Sequence, residues 1–146
     1  MNAAREYSTE QVEHFKKKAN HNKRESLWCF RITMISTLSA PLLVSLGEGV
    51  FLAKVLPSIL SAVAAFCTAW LQLRKPNELW STYRNAQRQI EVQITHFDFN
   101  VAEYRELGAE KCNELLALNV SQLVLDTNNQ WLKNVPKPSN LKIEKP

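Results

Sequence analysis

Glycine is nearly missing from this chain, with three in 146 residues. A phosphate-cradling loop needs several close together, because backbone N–H groups converge on an anion only where no Cβ intervenes. Their scarcity excludes a nucleotide-binding fold built on such a loop. Histidine is as sparse: His14, His21 and His96 are scattered, with no ligand-spaced Cys or carboxylate beside them. There is no C-x-x-C, H-x-x-x-H or H-E-x-x-H, so neither a zinc module nor a zinc hydrolase is expected. Serine and threonine abound in the centre of the chain, but no glycine elbow surrounds any of them. An enzyme is not expected, and no cofactor or metal is implied. Three cysteines, Cys29, Cys67 and Cys112, are an odd number. They read as free thiols packed as small apolar residues, which excludes a disulfide-stapled secreted domain.

Charge is the second absence. The 42 residues from Ile32 to Leu73 hold one base and one acid, Lys54 and Glu48, out of 18 Lys+Arg and 14 Asp+Glu in the chain. Ile32–Gly47 and Val55–Leu73 are uncharged runs of 16 and 19 residues. As helices they reach roughly 24 and 28 Å, against a bilayer core of about 30 Å. Trp28, Cys29 and Phe30 lengthen the first if Arg31 snorkels its guanidinium to the headgroups. The link from Gly47 to Lys54 contains two of the three glycines, which suits a tight helical hairpin. Neither span has a charged stripe, as the wet face of a soluble helix would. A cleaved signal peptide fits poorly, since the first apolar run begins only after 31 residues and a second follows at once.

The flanks set an orientation. Lys16, Lys17, Lys18, Lys23, Arg24 and Arg31 precede the first span, and Arg74, Lys75, Arg84 and Arg88 follow the second. Counting positive charges places both termini in the cytoplasm. Trp28, Trp70 and Trp80 fall near the same boundary.

Ser8 with Gln11 makes a capping-box pattern, predicting a helix from about Thr9 with a thin stripe of Val12, Phe15 and Ala19. Pro41 lies inside the first span and should bend it; Pro57 is expected in the first turn of the second. Pro76-Asn77 marks a break or a helix start. From there Trp80, Tyr83, Gln87, Ile90, Ile94, Phe97, Val101 and Tyr104 recur at alternating steps of 3 and 4. This 3.5-residue repeat predicts one helix with a seam for another helix, and Gln87 as its one polar member. Gly108 ends that region. A last helix is expected from about Ala109 to Lys133, with Cys112, Leu115, Leu116, Leu123, Val124 and Trp131 on its apolar side. The fold class is thus an all-α membrane protein: a two-span transmembrane hairpin with a cytoplasmic helical bundle, homo-oligomeric. It reads as a single domain: a cytoplasmic helix over 8–31, the hairpin over 32–73, cytoplasmic helices over 77–133, and a flexible tail over 134–146.

Two clusters invite functional readings. Ser36 and Ser39 in the first span and Ser58 and Ser61 in the second are either packing residues or the lining of a weakly polar pore. Two spans must still face lipid, so a pore requires several copies; a tetramer's eight spans could enclose one. The basic group Lys16, Lys17, Lys18, Lys23, Arg24, Arg74, Lys75, Arg84 and Arg88 either anchors topology on anionic headgroups or binds a phosphate-bearing effector. Arg84 and Arg88 stand one helical turn apart.

The stretch YSTEQVEHFKKKANHNK, the two-span hairpin and ELWSTYRNAQRQIEVQITHFDFNVAEY together resemble the SLATT family. Tyr7, Lys18-Ala19-Asn20, Asn22-Lys23, Trp80, Tyr83-Arg84 and Tyr104 carry the likeness, which extends from roughly Tyr7 to Trp131. Where the family pattern leads to Ala-Glu, this chain has Ala86-Gln87. The resemblance implies a homo-oligomeric pore-forming effector of the bacterial inner membrane, part of anti-phage defence. Its signal would be a nucleotide or short oligonucleotide made by a partner nucleotidyltransferase, and the open pore would be toxic to its own cell. The alternative is a non-conducting membrane adaptor or scaffold that docks a partner through its cytoplasmic helices.

Overall fold

A computed structural model describes residues 3–134, and the tail expected beyond Asn134 lies outside the described residues. Every regular element among them is helical: α1 (Ala3–Leu46), α2 (Leu56–Arg74), α3 (Pro76–Asp98) and α4 (Ala109–Asn134), with a π-helical turn at Phe51–Val55 and a 3-10 turn at Ala102–Tyr104. The chain divides into two compact units. One holds the N-terminal part of α1 through His21 together with Glu78 onward; the other is Asn22–Asn77.

The first unit is built around a core of Phe15 and Ala19 from α1, Tyr83, Ala86 and Ile90 from α3, Tyr104, and Cys112, Leu116 and Val120 from α4. Phe15, Ile90, Tyr104, Leu116 and Val120 are almost wholly buried. Each such side chain contributes about 1.5–3 kcal/mol of transfer free energy. Phe15 stacks on Tyr83 at 6.0 Å, and Phe97 meets Tyr104 edge-on at 5.8 Å. The Tyr104 hydroxyl donates to Gln93 Oε1 at 2.8 Å, and Asn119 Nδ2 donates to Glu103 Oε1 at 2.8 Å.

The second unit is a helical hairpin. On α1, Asn22, Ser26, Cys29, Thr33, Ser36, Ala40, Leu43 and Gly47 recede from solvent at steps of 4 and 3. Across from them, Ala53, Pro57, Leu60, Ala64, Cys67 and Leu71 recede with the same rhythm. The two rows make a seam of small and hydroxyl-bearing residues, the kind that lets helices approach closely. Outward, Ile35, Leu38, Leu42, Val44, Phe51, Ile59 and Phe66 are exposed. Both helical stretches are long and apolar enough to cross a membrane, and only 6% and 17% of their most apolar windows are buried. The core helix of a soluble protein would be mostly covered.

Two expectations about the elements need correction. Helix α1 begins by Ala3, so Ser8 is no cap: it is buried within the helix and donates to Ala4 O at 2.7 Å. Pro57 stands in the first turn of α2, as expected, although helical residues already resume at Gly49 and only Gly47-Glu48 interrupt them. The π-helical turn lies just ahead of Pro57, with Leu56 N–H reaching Phe51 O. A proline ring crowds the carbonyl four residues back, and a widened turn accommodates it. The 3.5-residue seam on α3 also stops early. Val101 N–H bonds His96 O at 3.0 Å and Asn100 N–H bonds Phe97 O at 3.3 Å, with Asn100 left-handed at φ 50°. That is a Schellman stop with asparagine in the left-handed position. Val101 is left extended, and Tyr104 reaches the core from the turn that follows.

Candidate functional site

The apolar hairpin has a polar base. Glu25 Oε1 accepts from Trp70 Nε1 at 2.7 Å and from Arg74 Nη1 at 3.1 Å. The Arg74 guanidinium also stands 5.8 Å from the centre of the Trp70 ring. One residue beyond Glu25, Ser26 donates to Asn77 Oδ1 at 2.9 Å. Helix α2 ends at Arg74; the next residue, Lys75, turns left-handed and Pro76 starts α3. This base was not foreseen; a Glu six residues before Arg31 and an Arg four residues after Trp70 were the available signals.

Higher in the hairpin, the hydroxyls are turned inward on their own helices. Thr37 donates to Thr33 O at 2.8 Å, Ser58 to Lys54 O at 2.7 Å, Thr68 to Ala64 O at 2.9 Å, and Ser39 to Ile35 O. Such bonds remove the cost of placing a hydroxyl in an apolar medium. Of the four serines proposed to line a pore, Ser36 is buried in the seam between the helices and Ser39 is half-buried; Ser58 and Ser61 are exposed. Ser61 lies on an outward groove of about 570 Å³ with Thr37, Pro41, Val44, Ala65 and Thr68. Thr33 Oγ1 is buried in the seam without a hydrogen-bond partner.

The basic residues divide between the two units. In the first, Lys18 Nζ stands 5.5 Å over the Tyr83 ring, whose other neighbour is Phe15. Arg84 Nη1 donates to Gln87 Oε1 at 2.8 Å, and Gln87 Nε2 donates to Glu91 Oε1 at 2.6 Å. Gln87 is buried, so this relay orients Arg84 from inside the fold. A carboxylate does reach the Arg84 relay, from Glu91 one turn on. Lys16, Lys17 and Arg88 are exposed. In the second unit Arg74 belongs to the base described above, while Lys23, Arg24 and Lys75 are exposed. Among the described residues no three His, Cys, Asp or Glu side chains converge as metal ligands would.

The predicted helix seam is occupied within the chain. Tyr83, Gln87, Ile90 and Tyr104 are buried, and Trp80, Ile94 and Phe97 pack against the same core. Elsewhere in this unit, α4 presents Leu118, Leu125 and Leu132 at steps of seven, each more than half exposed. The arrangement defines an all-helical protein made of a two-helix apolar hairpin with a basic base and a second helical unit of balanced charge. By its match over residues 10–111, the chain belongs to the family described as Protein of unknown function (DUF4231). No curated protein and no solved structure matches it.

Proposed function

We propose that this protein is a homo-oligomeric, pore-forming membrane effector, gated by a nucleotide or short oligonucleotide. The observation that carries the reading is the hairpin, whose outward surface is apolar almost all round while small and hydroxyl-bearing residues gather in the seam between its helices. Such an element is suited to lipid and to packing beside copies of itself. The cationic flanks support a location in the bacterial inner membrane with both termini cytoplasmic. The resemblance to SLATT domains supports a role in anti-phage defence, with a partner nucleotidyltransferase as the source of the signal.

In this reading the outward groove holding Ser61, Thr37 and Thr68 faces the assembly axis. Leu118, Leu125 and Leu132 on α4 supply a row of heptad spacing through which copies meet. Arg84, fixed by Gln87, and the exposed Arg88, Lys16 and Lys17 offer the phosphate contacts. A ligand there shifts the closed–open balance only through unequal affinity for the two states.

Purified protein in a planar bilayer tests this. Discrete current steps that respond to one of a panel of nucleotides and short oligonucleotides are expected. Ser61→Leu should reduce unit conductance, and the pair Arg84→Glu and Arg88→Glu should abolish the ligand response while insertion persists. A second reading rests on the hydroxyls themselves: Ser36 is in the seam and Ser39, Ser58, Thr37 and Thr68 bond their own backbone. That dryness suits a non-conducting adaptor, and a silent bilayer from inserted, oligomeric protein would select it.

A further inference from the structure

We propose that Cys29 and Cys67 form a redox-responsive dithiol that a peroxide closes into a disulfide across the base of the hairpin. The register of the two antiparallel helices places them. The Trp70–Glu25 hydrogen bond, 2.7 Å long, aligns position 70 of α2 with position 25 of α1. Four residues further along α1 is Cys29, and three residues back along α2 is Cys67. Both belong to the rows that face each other, and the two thiols lie close enough to interact. A disulfide needs Cα atoms within about 4.4–6.8 Å. Between helices that condition is met only where neighbours are small, and here Ala64 on α2 and Ser26 and Thr33 on α1 are the adjacent seam residues.

The two sulfurs are not equivalent. Cys29 is half-exposed and Cys67 buried, which assigns the first step to Cys29. Its sulfur attacks one peroxide oxygen, the O–O bond breaks, and a sulfenic acid and one water result. The Cys67 sulfur then displaces the sulfenic oxygen, which leaves as a second water carrying the Cys67 proton. Two thiols are oxidised, one hydrogen peroxide is reduced, and α1 is tied to α2. The third cysteine is set apart: buried Cys112 points its thiol at Tyr104 O and Leu107 O, at 3.7 and 3.6 Å.

The test uses the full chain in lipid nanodiscs. Hydrogen peroxide is added, the protein is denatured, and free thiols are counted by maleimide labelling and mass spectrometry. Three reactive thiols should fall to one, Cys112, with the Cys29 and Cys67 peptides joined; dithiothreitol should restore all three. Cys112→Ser should retain the cross-link, while Cys29→Ser and Cys67→Ser should each abolish it. Three thiols surviving peroxide in the wild-type chain, or cross-links found only between chains, would overturn the proposal. Neither result bears on whether the protein conducts.

Discussion

At the scale of single residues, paired and unpaired hydroxyls in the hairpin make opposite predictions. Ser26 is bonded to Asn77, so Ser26→Ala should lower the thermal midpoint by the equivalent of about 0.5–1.5 kcal/mol. Thr33 Oγ1 is buried and unmatched, so Thr33→Val should leave the midpoint unchanged or raise it. Ionisable side chains of the other unit bound its stability in pH. The Asp98 carboxyl is held below its ordinary range by hydrogen bonding from Arg5, through contacts of 2.9 and 3.0 Å. Its contribution is present above the unfolded carboxyl pKa of about 3.9 and is lost as pH falls through the folded value. Burial pushes the Tyr83 and Tyr104 phenols up. Their neutral forms favour the fold up to about pH 10, and that favour is lost as pH rises past it, because the unfolded chain ionises first. Ultraviolet titration near 295 nm should therefore show delayed phenolate formation, reduced in amplitude by Tyr104→Phe. Little of this could be read in advance: the sequence marks Ser26 and Thr33 as small polar residues but does not say which one finds a partner.

Elements were legible where periodicity was long, and misread where it broke. The alternating 3-and-4 pattern located α3 and most of its buried face, because a core-facing stripe and an oligomer seam have the same period. It failed to separate the two uses: α1 and α4 of the same chain cover that face. It also ran through Asn100, whose left-handed backbone ends the helix; an asparagine directly after Phe97-Asp98-Phe99 was the signal passed over. Ile90→Ala should cost about 2–5 kcal/mol in detergent-solubilised protein if this face is a true core. The hairpin turn gives a sharper contrast. A Cβ on Gly47 would lie 2.4 Å from Leu43 O and 3.0 Å from Leu52 C, both backbone atoms, whereas one on Gly108 meets nothing within 4 Å. Gly47→Ala should thus impair folding or lower the thermal midpoint sharply, and Gly108→Ala should be nearly neutral by the same melting assay.

For the whole molecule, charge distribution was the most informative property of the sequence, since it separated apolar hairpin from polar flanks before any helix was placed. The hairpin seam was less legible, because serine, threonine and cysteine in an apolar run look alike whether they face a pore, lipid or a second helix. Assembly is the property to measure at this scale. Leu118→Asp with Leu125→Asp should shift the detergent-solubilised protein toward monomer in light scattering and leave helix content by circular dichroism intact. The Gly47-Glu48 link carries a last implication. With only two non-helical residues between α1 and the helical run from Gly49, the crest of the hairpin has almost no loop for an antibody, protease or toxin to grip. If the hairpin inserts with both termini in the cytosol, as proposed, this crest is all that the described residues would offer to a probe from outside, and it would be a small target.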